Sequence, residues 1–356
     1  MSTMLRLQLH LLFEVQFPLL TIYRPYLELV IRHQEIDMAS EQTIQAAIEL
    51  GRKNADRVLQ NRSAGRERRA QALTNNPRVQ SMRLRIADAQ AAAAPLAAAV
   101  TLQTSGFLVA VGDSWFDYPF HDVLKDLDEN YGYNVESTAH AGDPIEKMAY
   151  HLGQLDDLPR KLDKIKDLGV VPRAALLSGG GDDLAGPEFG MLLNNAYSPI
   201  KGWDNEIVDG VLNDRINTAF VAMISGMDGL IQSRFNKSLP ILVHGYDYPV
   251  PDGRGYIGAF GHYLFGPWLE PGFREKNFMD ISQRIQMMHD IIDRFNVMLQ
   301  SLTAHFPFLH YIDMRNTLST VLPDDYKNWW DNELHPTPPG FAKVTDKFAA
   351  VLQSLV

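Results

Sequence analysis

The sequence predicts an α/β fold built on a central parallel sheet, and three observations predict it. Short apolar runs recur from Phe107 onward, each too short for a helix and rich in Val, Ile, Leu or Ala. Longer stretches with apolar residues at helical spacing separate them, and strands alternating with helices imply a parallel sheet covered on both faces. Several of these runs end in Gly, Asp or Ser, and an open α/β sheet places its chemistry at the carboxyl ends of its strands.

At 356 residues the chain suffices for one large domain with an accessory segment. With 46% hydrophobic and 21% charged residues it has the composition of a globular protein with a sizeable core. A net charge of −10 argues against nucleic acid as the main partner. The absence of cysteine excludes disulfides, thiol catalysis and thiolate metal sites.

From the N-terminus, Leu5 to Ile31 is apolar in parts but interrupted by Glu14, Pro18, Arg24, Pro25 and Glu28, a poor transmembrane span without a clean signal-peptide pattern. The expected compartment is cytoplasmic, with export by another route left open. Met38 opens a stretch that resembles a natural start, so residues 1–37 read as an upstream extension. Ser40 to Leu59 reads as a helix with Ser40 as N-cap and Ile44, Ala47, Ile48 and Val58 on one face. Arg52 to Ile86 carries ten Arg or Lys against Asp56 and Glu67, either a solvated arm or a contact for anionic lipid or polymer. It contains no aromatic residue on which bases could stack. Ala87 to Val100 is alanine-rich, a helix or linker. Residues 1–104 are therefore expected to form a helical N-terminal extension, and 105–356 the main domain.

Within the main domain the predicted strands are Phe107–Val111, Tyr133–Ser137, Ala174–Leu177, Ile241–Val243 and Leu309–Ile312. The predicted helices are Asp122–Leu127, Pro144–Leu152, Glu206–Arg234, Ile281–His305 and Phe341–Leu355. Two long connections, Gly186–Asn205 and Pro249–Asn277, are rich in Gly, Pro and aromatics. Connections of that length near strand ends form binding walls or lids, or pad the surface with a small core of their own.

Four blocks carry the chemistry. The first strand ends in Gly112-Asp113-Ser114, and the second is followed by Ala141-Gly142-Asp143. The third ends in Ser178-Gly179-Gly180-Gly181-Asp182-Asp183, and Asp331-Asn332-Glu333-Leu334-His335 precedes the last helix. In this order, on these elements, they resemble the SGNH (GDSL) hydrolase superfamily over roughly residues 105–355. The resemblance implies a flavodoxin-like three-layer α/β/α sandwich with a central parallel sheet of about five strands. It implies Ser114 as nucleophile and His335 as general base. It also implies an oxyanion hole made from the backbone N–H groups of Ser114 and Gly142 and the side chain at position 182.

The chain departs from the family pattern twice. The family's oxyanion Asn is here Asp182, which can donate to a developing negative charge only if burial or a neighbouring carboxylate such as Asp183 keeps it protonated. The family's triad acid lies three residues before the histidine, where this chain has Asn332; Asp331, one residue earlier, is expected to take that role, with Asn332 as the alternative orienter. Asp113, Trp115, His244 and Tyr246 are expected to bind substrate, and His262 with its aromatic neighbours suits an acyl or aryl wall. No HExxH, P-loop or dinucleotide fingerprint is present, so neither metal nor cofactor is invoked. The expected function is hydrolysis of a small-molecule or lipid-like carboxylic ester through an acyl-serine intermediate. An acyltransferase, a thioesterase or a carbohydrate deacetylase of the same fold remains open, as does a non-catalytic binding protein on a decayed hydrolase scaffold.

Overall fold

The computed structural model describes residues 41–61, 63, 64, 67, 104–257 and 263–355. The expectations for residues 1–37, for the Ser40 cap, for most of the basic arm, for Ala87–Val100 and for His262 lie outside them.

The main sheet holds β1 (Gly106–Val111), β2 (Tyr133–Ser137), β3 (Ala174–Leu177), β4 (Ile241–His244) and β5 (Leu309–Ile312). All neighbours pair in parallel, in the order β2-β1-β3-β4-β5. Apart from the first residue of β1, every residue of β1, β3 and β4 is buried. That is why these strands read as continuous apolar runs rather than alternating ones. The chain leaves β1 toward β2 and then crosses to β3 on the other side of β1. The switch in direction opens a crevice at the carboxyl ends of β1 and β3.

Helices cover both faces of this three-layer α/β/α sandwich. On one side lie α1 (Val123–Glu129) and, at the end of the chain, α6 (Pro338–Ser354), packed against each other. On the other lie α2 (Ile145–His151), α3 (Gly153–Asp167) and α4 (Asn217–Phe235). Alongside them runs α5 (Ile281–Ser301), whose Phe295 meets Phe220 of α4 at 6.3 Å between ring centroids. Helix α4 is apolar around most of its circumference because it is enclosed, and a wider helical run precedes it, Gly210–Ile216, with π geometry.

The caps explain where several helices start. Asp122 accepts from Lys125 N–H at α1, Asp280 from Gln283 N–H at α5, and Thr337 from Gly340 N–H at α6. Helix α3 was not among the predicted helices. Pro159 inside it argues against a helix, yet its Leu155, Leu158, Leu162 and Ile165 are wholly buried and hold it in place. The helix over residues 41–61 is also built into the main domain from Ile48 onward. Gly51 lies against Ala222 and Ser225, and Asn54 Nδ2 donates to the Ala149 carbonyl at 3.0 Å. Among the described residues no helix is long and apolar enough to cross a membrane.

Gly180, just beyond β3, has φ +90°, and a Cβ there would sit 2.7 Å from the Phe295 ring. Both the left-handed backbone and the contact exclude a side chain. Gly180→Ala should therefore lower the unfolding free energy by about 2–4 kcal/mol in urea denaturation. An unchanged midpoint would mean that the turn is free to relax.

Candidate active site

The register of the sheet brings three loops to one level. Val111 pairs with Leu177 and Leu177 with Val243, so Gly112-Asp113-Ser114, Ser178-Gly179-Gly180 and His244 leave the sheet side by side. The loops approach so closely that a Cβ on Gly112 would lie 2.8 Å from both Ser178 and Phe116. The Gln154 amide exchanges two hydrogen bonds with Gly112, both at 2.9 Å. His140 N–H donates to the Gly112 carbonyl at 2.9 Å and thereby holds the Ala141-Gly142 turn beside the Ser114 loop. Asp183 accepts from the N–H groups of Ile145 and Glu146 at the start of α2, which ties the β3 loop to the β2 loop.

Ser114 meets His335 here. The Ser114 Oγ lies 2.7 Å from His335 Nε2, and His335 Nδ1 lies 2.9 Å from Asn332 Oδ1. The same Oδ1 accepts from the backbone N–H of Leu334 and of His335, which identifies it as the oxygen. His335 Nδ1 must then carry a proton, and Nε2 presents its lone pair to the serine hydroxyl. Burial alone pushes the His335 imidazole down to about 3, so the ring is neutral in the resting protein.

The loop bearing His335 is short and closed on itself. Asp331 N–H donates to the His335 carbonyl at 2.9 Å, and Trp330 pairs with Pro336. Trp115 Nε1 donates to the Leu334 carbonyl at 3.0 Å and fastens this loop to the serine loop. Glu333, wholly buried, points the other way. Its carboxylate accepts from the N–H groups of Gly253, Trp268, Leu269 and Glu270 at 2.7–3.0 Å, anchoring the long connection after β4.

Asp331 does not stand where the expected triad acid would. Its carboxylate accepts from Tyr118 Oη at 2.8 Å and from Asn332 Nδ2 at 3.3 Å, while Asn332 occupies Nδ1 of His335. The physical reason is the tight turn, in which Asn332 spans two backbone N–H groups and the imidazole with a single oxygen. Tyr118 had no role in the sequence reading. Its ring stacks on His335 at 4.2 Å and 18°, and its hydroxyl accepts from Asn332 Nδ2 at 2.9 Å. The only sequence cue is its place four residues after Ser114.

The expected substrate contacts divide. Trp115 and Tyr246 line the pocket beside Ser114. Asp113 borders it too, but its oxygens are engaged by Trp115 N–H, Ser178 Oγ and Tyr246 Oη. His244 is corrected outright: it is 0% exposed, enclosed by Trp115, Phe116, Tyr246 and Phe348, and cannot reach a ligand. Gly142 is exposed with φ +79°, and nothing stands within 4 Å of where its Cβ would be.

Asp182 lines the same pocket as Ser114, and its buried Oδ2 has no hydrogen-bond partner. Burial, then the charges of Asp113, Asp183 and Asp143, push this carboxyl up to about 7. Asp183 is pushed up to about 6, also chiefly by burial. Near neutrality, position 182 therefore holds a carboxyl group divided between donor and anion.

The pocket encloses about 600 Å³, mouth included. Leu184, Phe189 and Leu269 come from the two long connections and the turn before them. Met288, Ile291 and Ile292 form one face of α5. The connections do both things expected of them. Phe189 faces the pocket while packing edge-on against Trp203 and Phe273 in a small aromatic core.

No protein-family model and no curated protein matches the chain. Among solved structures it is similar to a candidate platelet activating factor from Streptococcus pneumonia (13% identity, TM-score 0.38, covering 77% of this chain and 97% of that one). It is also similar to the psychrotrophic esterase EstA from Pseudoalteromonas sp. (12%, 0.33, 70% and 98%) and to a candidate SGNH hydrolase from Slackia heliotrinireducens (13%, 0.29, 69% and 100%). At these values the likenesses carry no functional argument, which rests on the geometry of the site.

Imidazole nitrogen shifts of His335 should remain those of a neutral ring protonated on Nδ1 from about pH 8 down to about pH 4, given a group held at about 3. A ring that titrates near its ordinary value of about 6.5 would show that the site is wetter than its burial indicates.

Proposed function

We propose that the chain is a serine hydrolase of the SGNH type that cleaves carboxylic esters. The observation that carries this reading is the Ser114–His335–Asn332 alignment, 2.7 Å and 2.9 Å, at the wall of an apolar pocket. Ser114 Oγ attacks the ester carbonyl as its proton passes to His335 Nε2. The tetrahedral intermediate collapses, the C–O bond to the alcohol breaks, and His335 returns the proton to the departing alkoxide. Water then repeats the sequence on the acyl-serine, releasing the acid.

Asn332 holds the ring in the right tautomer but brings no negative charge to the imidazolium. The Tyr118 face, 4.2 Å away, offsets part of that loss through its quadrupole, and Asp331 acts only indirectly, through the Tyr118 hydroxyl and Asn332 Nδ2. Asp331→Ala should then lower kcat by less than about tenfold. Asn332→Ala should lower it by about 100-fold or more, the scale of losing a positioned base. The reverse ranking would return Asp331 to the triad.

The oxyanion donors in this reading are the N–H groups of Ser114 and Gly142 and the protonated carboxyl of Asp182. His335 stays unprotonated above about 3 and Asp182 keeps its proton below about 7, so activity is greatest between those values. The alkaline loss arises because raising the pH through 7 turns a donor into an anion at the oxyanion. One such donor contributes about 2.7–4 kcal/mol to the transition state. The apolar lining favours an acyl or aryl group over a strongly polar one.

Hydrolysis of p-nitrophenyl acetate, butyrate and octanoate across about pH 4 to 9 tests the proposal. Ser114→Ala should abolish turnover, and Asp182→Asn, which always donates, should remove the alkaline loss. Turnover that survives Ser114→Ala would sink the nucleophile. An alkaline loss that persists in Asp182→Asn would sink the role of Asp182.

A further inference from the structure

The two halves of an ester meet different surroundings at Ser114. Within the pocket, Met288, Ile291 and Ile292 present one face of α5 and are only 4%, 1% and 5% exposed. Outside it, Ala141 and Gly142 lie exposed beside the serine loop, with the exposed side chains of Asp117, His140 and Lys147 around them. One half of the substrate therefore meets a buried apolar wall, and the other a polar surface.

The wall has little room to yield. Leu269 N–H donates to the Glu333 carboxylate at 2.8 Å, and Phe189 packs against Trp203 and Phe273 with ring centroids 5.9 Å and 5.0 Å apart. Asp113, Tyr246 and Asp247 also border the pocket, but the protein engages their side-chain oxygens. Asp247 alone accepts from the N–H groups of Tyr248, Asn316, Thr317 and Leu318 at 2.6–2.9 Å. The cavity they enclose measures about 50 Å³. One water takes about 10–15 Å³ of such space, so there is room for about four groups of that size.

The order of bond breaking assigns the two sides. The alcohol leaves first, with the proton that His335 returns to it, while the acyl group is still bonded to Ser114 Oγ. An alcohol lodged between Ser114 and the buried face of α5 would have to leave past that acyl-serine. The acyl chain therefore belongs in the pocket and the alcohol on the exposed side.

We infer that the pocket is an acyl subsite for plain alkanoyl chains of about four carbons, that Met288, Ile291 and Ile292 set this limit, and that the exposed side accepts alcohols of different sizes. This rests on the ester hydrolysis proposed above. The limit is most readily moved at Met288, an unbranched side chain that fills space Ala leaves empty.

The values of kcat/KM for p-nitrophenyl acetate, butyrate and octanoate read the limit. A methylene that gains apolar contact adds about fourfold, so butyrate should exceed acetate by about 10–20-fold, and octanoate should fall about tenfold or more below butyrate. Met288→Ala should raise the octanoate-to-butyrate ratio about tenfold. The butyrates of p-nitrophenol and of the bulkier 4-methylumbelliferone should differ less than about threefold, since no wall meets the alcohol. An unmoved ratio in Met288→Ala, or a rate that follows the alcohol more closely than the acyl chain, would overturn the assignment. Should Met288→Ala fail to fold, Ile292→Val, one carbon smaller, should raise the ratio about threefold, and an unmoved ratio there overturns it equally.

Butanamide and octanamide carry the chain without an ester and separate the pocket from the chemistry. In ligand-detected NMR the native chain should bind butanamide at least as tightly as octanamide, and Met288→Ala should shift the balance toward octanamide about tenfold. If the amides behave so while no ester is turned over through Ser114, the size-limited pocket stands and ester hydrolysis falls. If octanamide binds the native chain more tightly, the size limit falls, whatever the esters do.

Discussion

The parallel pairing of β1 with β3, and of β3 with β4, holds the Ser114 region together. Because Val111, Leu177 and Val243 are neighbours in register, the residues that follow them leave the sheet at one height. Ser178 can then bond to Asp113 on one side and to His244 on the other, and the serine loop is pinned from below. A slip of one residue in β3 would reverse the faces of its side chains and separate all three. The glycines at positions 112 and 180 follow from the same closeness, since each lies where a side chain would collide with the next loop or with Phe295.

Closeness also concentrates charge. Asp113, Asp182 and Asp183 stand within one buried region, where carboxylates cannot all ionise cheaply. The chain treats them differently. Asp183 is stabilised by the N–H groups that begin α2, Asp113 by three donors, and Asp182 by nothing at all on its Oδ2. Burial pushes Asp182 up to about 7 and Asp183 up to about 6. The His335 imidazole in the same dry setting is pushed in the opposite direction, so burial widens the gap between this ring and Asp182 from both ends.

Much of this was legible in the sequence. The five strands of the sheet lie within one residue of their expected bounds, because buried parallel strands are short apolar runs with polar ends. The pairing of Ser114 with His335 followed from motif order. The acidic position 182 and the split between Asp331 and Asn332 were both visible as anomalies. What the sequence could not convey was direction. Nothing in Asp-Asn-Glu-Leu-His says which carboxylate or amide turns toward the ring, since that depends on backbone bonds within the turn. His244 and Tyr246 look alike on paper as residues after a strand, yet one is sealed under Trp115 and the other reaches the pocket. Helix α3 was hidden by Pro159, although its leucine spacing was there to be read.

The anchoring of Glu333 has a bearing on traffic through the pocket. Four backbone groups from Gly253 to Glu270 converge on this one carboxylate, two residues from His335 and one from Asn332. The wall of the pocket and the His335 loop thus hang from a common hinge pin. A swing of that wall wide enough to open the pocket would strip a buried carboxylate of its donors and drag the histidine out of line. A ligand of this pocket would then pass a fixed frame rather than a swinging wall.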